Sequence, residues 1–202
     1  MSYSDFTLMK LQDKFELDFV ENQILFDNIS NYAVSAEFLK MLHAFIPLAT
    51  AIDTEKARSE LIVAPLLAMF KLEAKNLSLF SGIEFNVDQN AGLTGRCDFI
   101  LSKSSEQYRL EAPVLLMVEA KNDNIKSGIA QCGAEMVAAQ FFNLERHNNI
   151  ASIYGCVTTG SLWRFLKLID KQFYIDVIEY HIYPPERILG ILSFITQNND
   201  AP

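Results

Sequence analysis

From Ala112 to Ala120 the chain reads Ala-Pro-Val-Leu-Leu-Met-Val-Glu-Ala, an apolar run whose one charge stands near its end. A run this short, rich in branched and large apolar residues, fits a β-strand buried on both faces. Such a strand needs a covering layer on each side, and helices are the usual covering. This segment alone predicts an α/β fold, a central sheet flanked by helices.

The surrounding segments supply both layers. Leu79–Val87 and Gly95–Leu101 read as strands joined by the turn Asp88-Gln89-Asn90-Ala91-Gly92. Ile125–Arg146 reads as a long helix with Ile125, Ile129, Cys132, Met136 and Ala139 on one face. Ile153–Val157 and Leu162–Leu168 form a further strand pair around Thr159-Gly160, Phe173–Tyr183 adds another strand, and Pro184-Pro185-Glu186 opens a last helix. Towards the amino terminus, Phe15–Phe19 and Gln23–Phe26 read as two short strands, and Ser35–Ile46 as a helix stopped by Pro47. Asp53–Leu77 reads as a helix that Pro65 bends or divides. One domain accounts for all 202 residues: an extension over 1–52, a core over 53–170, and a C-terminal strand and helix over 171–202.

Charge narrows the function. The formal net charge is -8, and residues 1 to 60 hold five basic against ten acidic side chains. A chain that coats nucleic acid by neutralising phosphates carries the opposite balance, so tight non-specific binding is not expected. The later part of the chain is nearer neutral and leaves room for a local grip. Three cysteines, Cys97, Cys132 and Cys156, lack metal-ligand spacing, and the amino terminus lacks a basic-then-apolar leader pattern. Reduced thiols and a cytoplasmic protein are expected. The longest apolar run, Leu61–Phe70, is half of what a membrane span needs and contains Pro65.

Two strand-borne features carry the chemistry. Side chains alternate faces along a strand, so Glu119 and Lys121 point the same way. If Asp98 stands on the neighbouring strand, two carboxylates and an ammonium gather at one spot. Two carboxylates can seat a hard divalent cation such as Mg2+, which prefers oxygen and keeps water. A lysine beside that ion can orient or deprotonate an attacking water. The competing reading is a surface pair, Glu119 with Lys121, of little energetic weight. No phosphate-binding glycine loop, nucleophile elbow or zinc-helix motif is present, and His43, His147 and His181 are scattered.

Asp98, a spacer of twenty residues, then Glu119-Ala120-Lys121 resembles the signature of the PD-(D/E)XK nuclease superfamily, with Cys97 where its proline commonly stands. Thr54–Leu168 is also similar to a family of small bacterial and cyanobacterial proteins. That likeness rests on Glu55-Lys56-Ala57-Arg58-Ser59-Glu60, Gly92–Phe99, Val118–Lys121 and Gln131–Met136. Thr158-Thr159-Gly160 with Trp163 and Phe165 is similar to a late strand pair in that family and in the nuclease part of type I restriction enzymes. The resemblance implies a restriction-endonuclease-like mixed sheet flanked by helices, and a Mg2+- or Mn2+-dependent nuclease acting on DNA. Asp98, Glu119 and the Ala120 carbonyl would hold the metal, and Lys121 would serve the water.

A helix-borne carboxylate, Glu60 or Glu55, and Gln131 would complete the site. Gln131 and Glu135 lie one helical turn apart, either facing the cleft or forming a polar stripe on a half-exposed helix. Arg96, Lys103, Arg109, Lys126 and Arg164 are candidate phosphate contacts, though such a residue taken singly is more often a solvated surface charge. Analogy with nucleases that cut both strands adds a homodimer. The alternative function is a non-cutting module that keeps the fold to bind a partner, which the acidic balance favours.

Overall fold

The computed structural model describes residues 1–148 and 150–197. A 3-10 turn (Tyr3–Asp5) leads into α1 (Leu8–Phe15), β1 (Asp18–Val20), α2 (Ala36–Ile52) and α3 (Glu55–Arg58), followed by one π turn over Ser59–Val63. Then come α4 (Ala64–Glu73), β2 (Ser78–Glu84), β3 (Arg96–Ser102), β4 (Val114–Ala120) and α5 (Ile125–Glu145). The chain continues through β5 (Ile153–Thr158), β6 (Leu162–Ile169), β7 (Gln172–Ile175), β8 (Tyr180–His181) and α6 (Glu186–Gln197). Residues 198–202 of the expected C-terminal part lie outside the described residues.

The strands form one eight-stranded sheet in the order β1-β7-β6-β5-β4-β3-β2, with β8 against the start of β6. Pairing is parallel for β4 with β5 and for β1 with β7, and antiparallel elsewhere, so the sheet is mixed. All seven residues of β4 are buried, as a central strand between two layers requires. The fold is α/β, with helices on both faces of this sheet.

Two apolar cores fill the two sides. On one side α5 lies along β4 and β5, joined by Tyr3, Phe6, Leu11 and Leu17 from the amino terminus. On the other, Phe38 and Leu42 of α2, Leu66, Leu67 and Phe70 of α4, and Ile188, Leu189 and Leu192 of α6 pack with Phe26 and Trp163. The first 52 residues therefore contribute to both cores, and β1 extends the sheet.

The close seat of α5 depends on small residues. A Cβ added at Gly128 would meet Val157 Cγ1 at 2.6 Å and Lys121 Cγ at 3.2 Å. Across the layer, one added at Gly155 would collide with the sulfurs of Met136 and Cys132. At the far end of the helix, buried Asn143 accepts from Val114 N at 2.8 Å and donates to Val114 O at 2.9 Å. Its amide satisfies the backbone where β4 begins.

The amino-terminal expectations need correcting. Thr7 caps α1 by accepting from Lys10 N, and Leu11 and Phe15 share its inward side, so Phe15 ends a helix rather than beginning a strand. Only Asp18–Val20 pairs with β7. Gln23–Phe26 forms no strand: the Gln23 carbonyl accepts from Val177 N and the Phe26 carbonyl from the Arg187 guanidinium, which also holds those of Asp27 and Ile29. Pro47 stands inside α2, which runs on to Ile52. Pro65 falls in the first turn of α4, just past the π turn, where a missing N–H matters least. The last expected strand is split into β7 and β8 around Asp176, which accepts from Ile178 N and from the Tyr180 hydroxyl. No helix among the described residues is long and apolar enough to cross a membrane.

Candidate active site

The site lies at the carboxyl end of β4, on the face that α5 covers. Antiparallel register places Phe99 opposite Val118, which brings Asp98 of β3 beside the Glu119–Ala120 step. Asp98 Oδ2 accepts from Ala120 N at 2.8 Å, pinning the carboxylate against the strand. Lys121 leaves the strand with its backbone N–H donating to Thr158 O at 2.8 Å, so its side chain turns back beneath α5. Gly128 allows this, since any larger residue there would occupy the space of the lysine stem.

The side chains form a continuous chain of hydrogen bonds. Lys121 Nζ donates to Glu119 Oε1 at 2.5 Å and to Gln131 Oε1 at 3.2 Å. Gln131 Nε2 in turn donates to Glu135 Oε1 at 3.3 Å, one turn further along α5. Glu119 and Glu135 are buried, at 2% and 0% exposure, and the Oε2 atom of each has no hydrogen-bond partner. Asp98, Lys121 and Gln131 are half-buried, so the group opens to solvent on their side.

Burial sets the electrostatics. It lifts the Asp98 carboxyl above its ordinary range, against the pull of the Ala120 N–H and of Lys121. Burial and then the charge of Asp98 push Glu119 up to about 7, with Lys121 resisting. Glu135 stands well above the carboxyl range, first through burial and then through Glu119. Burial works to lower the Lys121 ammonium, but the negative charges of Glu119, Glu55 and Asp98 outweigh it and hold the proton more tightly than usual. The crowded carboxyls and the ammonium between them all hold their protons more tightly than usual.

Other expected residues fall differently. Glu60 lies in the π turn, which buries Ile62 and Val63 and leaves its side chain 63% exposed, 3.8 Å from Lys56 in an i,i+4 pair. Glu60 is not among the leading charges acting on Asp98, Glu119 or Lys121. Glu55, at the start of α3 behind its Thr54 cap, is the helix carboxylate whose charge reaches Glu119 and Lys121. Ala120 is buried at the end of β4, paired with Thr158. Among the candidate phosphate contacts, Arg96, Arg109 and Arg164 are ion-paired with Glu84, Glu111 and Glu179.

Two residues of this neighbourhood went unchosen in the sequence. Glu135 carried a signal, its i,i+4 spacing from Gln131, but its complete burial did not show. Asn122, the residue after Lys121, has a buried Oδ1 without a partner, and only its place behind the strand-end triplet could have marked it. A scan against models of known families finds none that matches this chain, and a search of curated proteins finds no significant relative.

Proposed function

We propose that this chain is a metal-dependent nuclease, hydrolysing DNA phosphodiester bonds with Mg2+ or Mn2+, in the manner of the PD-(D/E)XK superfamily. The observation that carries the reading is the gathering of Asp98, Glu119 and Lys121 on one face of two adjacent strands, with Glu119 Oε2 buried and unpartnered. The chain order also supports it: a helix, α4, three consecutive strands, β2 to β4, then a helix and a strand parallel to β4.

The donor set fits a hard cation. A buried carboxylate oxygen without a partner costs roughly 1–3 kcal/mol or more, which a bound cation would remove. Among the described residues no three His, Cys, Asp or Glu side chains stand together as metal ligands. A zinc site would need such a set. Mg2+ keeps several waters and needs only one or two carboxylates, here Asp98 and Glu119, with the Ala120 carbonyl as a third donor. When bound, the ion would polarise the phosphate and lower the pKa of a bound water.

The protein's own groups do the rest. An ammonium has three N–H donors, and Lys121 spends two on Glu119 and Gln131, leaving one for a water or a phosphate oxygen. Its tightly held proton favours this donor role over that of a base. Gln131 holds the ammonium from the helix side, and Glu55, in the place considered for Glu60, adds negative charge at the mouth.

Plasmid nicking with Mg2+ or Mn2+ tests the reading. Wild type should nick, and Asp98→Ala and Lys121→Ala should each slow nicking by roughly a hundredfold or more. Equal background cutting by all three would reject it. The net charge of -8 favours the second reading, a non-cutting module that binds a partner, and an inert wild type would point there.

A further inference from the structure

The hydrogen-bond chain does not stop at the groups hydrolysis needs. It runs on to Glu135, which is fully buried and too deep to meet a substrate. A carboxyl in that position is costly to bury, and only one of its oxygens is bonded. No ion pair holds it among the described residues, and the bond it accepts is the one from Gln131.

That bond decides which way the Gln131 amide faces. A primary amide presents an acceptor on one side and donors on the other. Lys121 needs an acceptor, because a reversed amide would set N–H donors against its ammonium. Glu135 Oε1 accepts from Nε2 at 3.3 Å and so turns Gln131 Oε1 towards Lys121, which it meets at 3.2 Å. Residues 131 and 135 share one face of α5, and the helix keeps that geometry rigid.

We propose that Glu135 is a positioning residue for Lys121, acting through the Gln131 amide, whose orientation it locks. The carboxylate offers Oε1 as acceptor, and so does the carboxyl with its proton on the unpartnered Oε2, so the lock holds in both. This inference rests on the nuclease reading for its effect on rate, but the lock itself is a feature of the folded chain.

The test compares Glu135→Met, which fills the space without an acceptor, with Glu135→Gln, which restores one. The full-length chain is assayed on a fluorophore-labelled DNA duplex with Mg2+, alongside Asp98→Ala, with thermal melts of every variant. Glu135→Met should lower kcat by roughly ten- to a hundredfold, while Tm stays level or rises. Its KM should stay within about twofold, as for a group acting only on the chemical step. Glu135→Gln should recover most of the lost kcat. A merely structural residue would instead lower kcat and Tm together in Glu135→Met.

A second readout needs no activity: the 15N-edited NMR signal of the Lys121 ammonium. It should be resolved in wild type and in Glu135→Gln, and broadened or lost in Glu135→Met. Wild-type kcat in Glu135→Met, or an unchanged ammonium signal, would overturn the proposal. If wild type cuts no better than Asp98→Ala, the nuclease reading fails, and the ammonium signal alone decides whether the lock exists.

Discussion

Replacing Glu119 by glutamine should change how stability responds to pH, and the size of the change follows from the site. In the metal-free fold this carboxyl keeps its proton up to about pH 7, because it is buried beside Asp98, whereas an ordinary glutamate loses it near 4.5. Stability tied to that proton is whole below pH 4.5, declines as pH rises, and is gone above about pH 7. Each pKa unit is worth about 1.4 kcal/mol, so the full loss is about 3 kcal/mol. Glu119→Gln removes the titrating group. The attraction of Lys121 is already contained in that pKa, and the lysine stays protonated throughout the window, so it adds no titration of its own. Urea unfolding of both proteins in EDTA, at steps between pH 4.5 and 8, measures the difference in ΔG. Wild type should lose about 3 kcal/mol relative to the variant as pH rises. Added Mg2+ should restore stability to wild type at pH 8 and much less to the variant, since a ligand stabilises the state that binds it. A difference flat from pH 4.5 to 8 would refute the reasoning, because Glu119 would then ionise without strain and have no use for a cation.

Three further outcomes follow from the packing. Gly128→Ala should destabilise the fold by about 1–3 kcal/mol in urea, because its Cβ would meet Val157 at 2.6 Å, and should displace Lys121. Asn143→Leu should cost about 2 kcal/mol or more, since it strips both hydrogen bonds from the Val114 backbone in a buried place. All three thiols are buried and free, with burial raising each pKa, so Ellman's reagent should find none in the native protein and three after denaturation.

Much of the framework was legible because single segments carried their own instructions. Ala112–Ala120 announced a strand covered on both sides, and β4 is buried throughout. The hairpin of β2 and β3 followed from the turn at Asp88–Gly92, and reading the end of β4 as a strand put Glu119 and Lys121 on one face, where Lys121 Nζ meets Glu119 Oε1. What stayed hidden depends on distant partners. Gln23–Phe26 has strand composition, yet its Phe26 carbonyl answers to Arg187 and its Gln23 carbonyl to the N–H of Val177, both more than 150 residues away. The π turn that leaves Glu60 exposed beside Lys56 is a helix irregularity no 3.6-residue pattern contains. Cleft and polar stripe stayed equally open for Glu135, because nothing local says that Tyr3, Phe6 and Leu11 pack beside α5 and close off that side.

The proposed nuclease requires Asp98 and Glu119 to act together as the seat of a divalent ion. Mn2+ titration followed by water proton relaxation reads that occupancy without a substrate. The prediction is one Mn2+ per chain in wild type, displaced by excess Mg2+ and lost in the Asp98→Ala, Glu119→Ala double variant. Equal binding by wild type and double variant, or none by wild type, would contradict it.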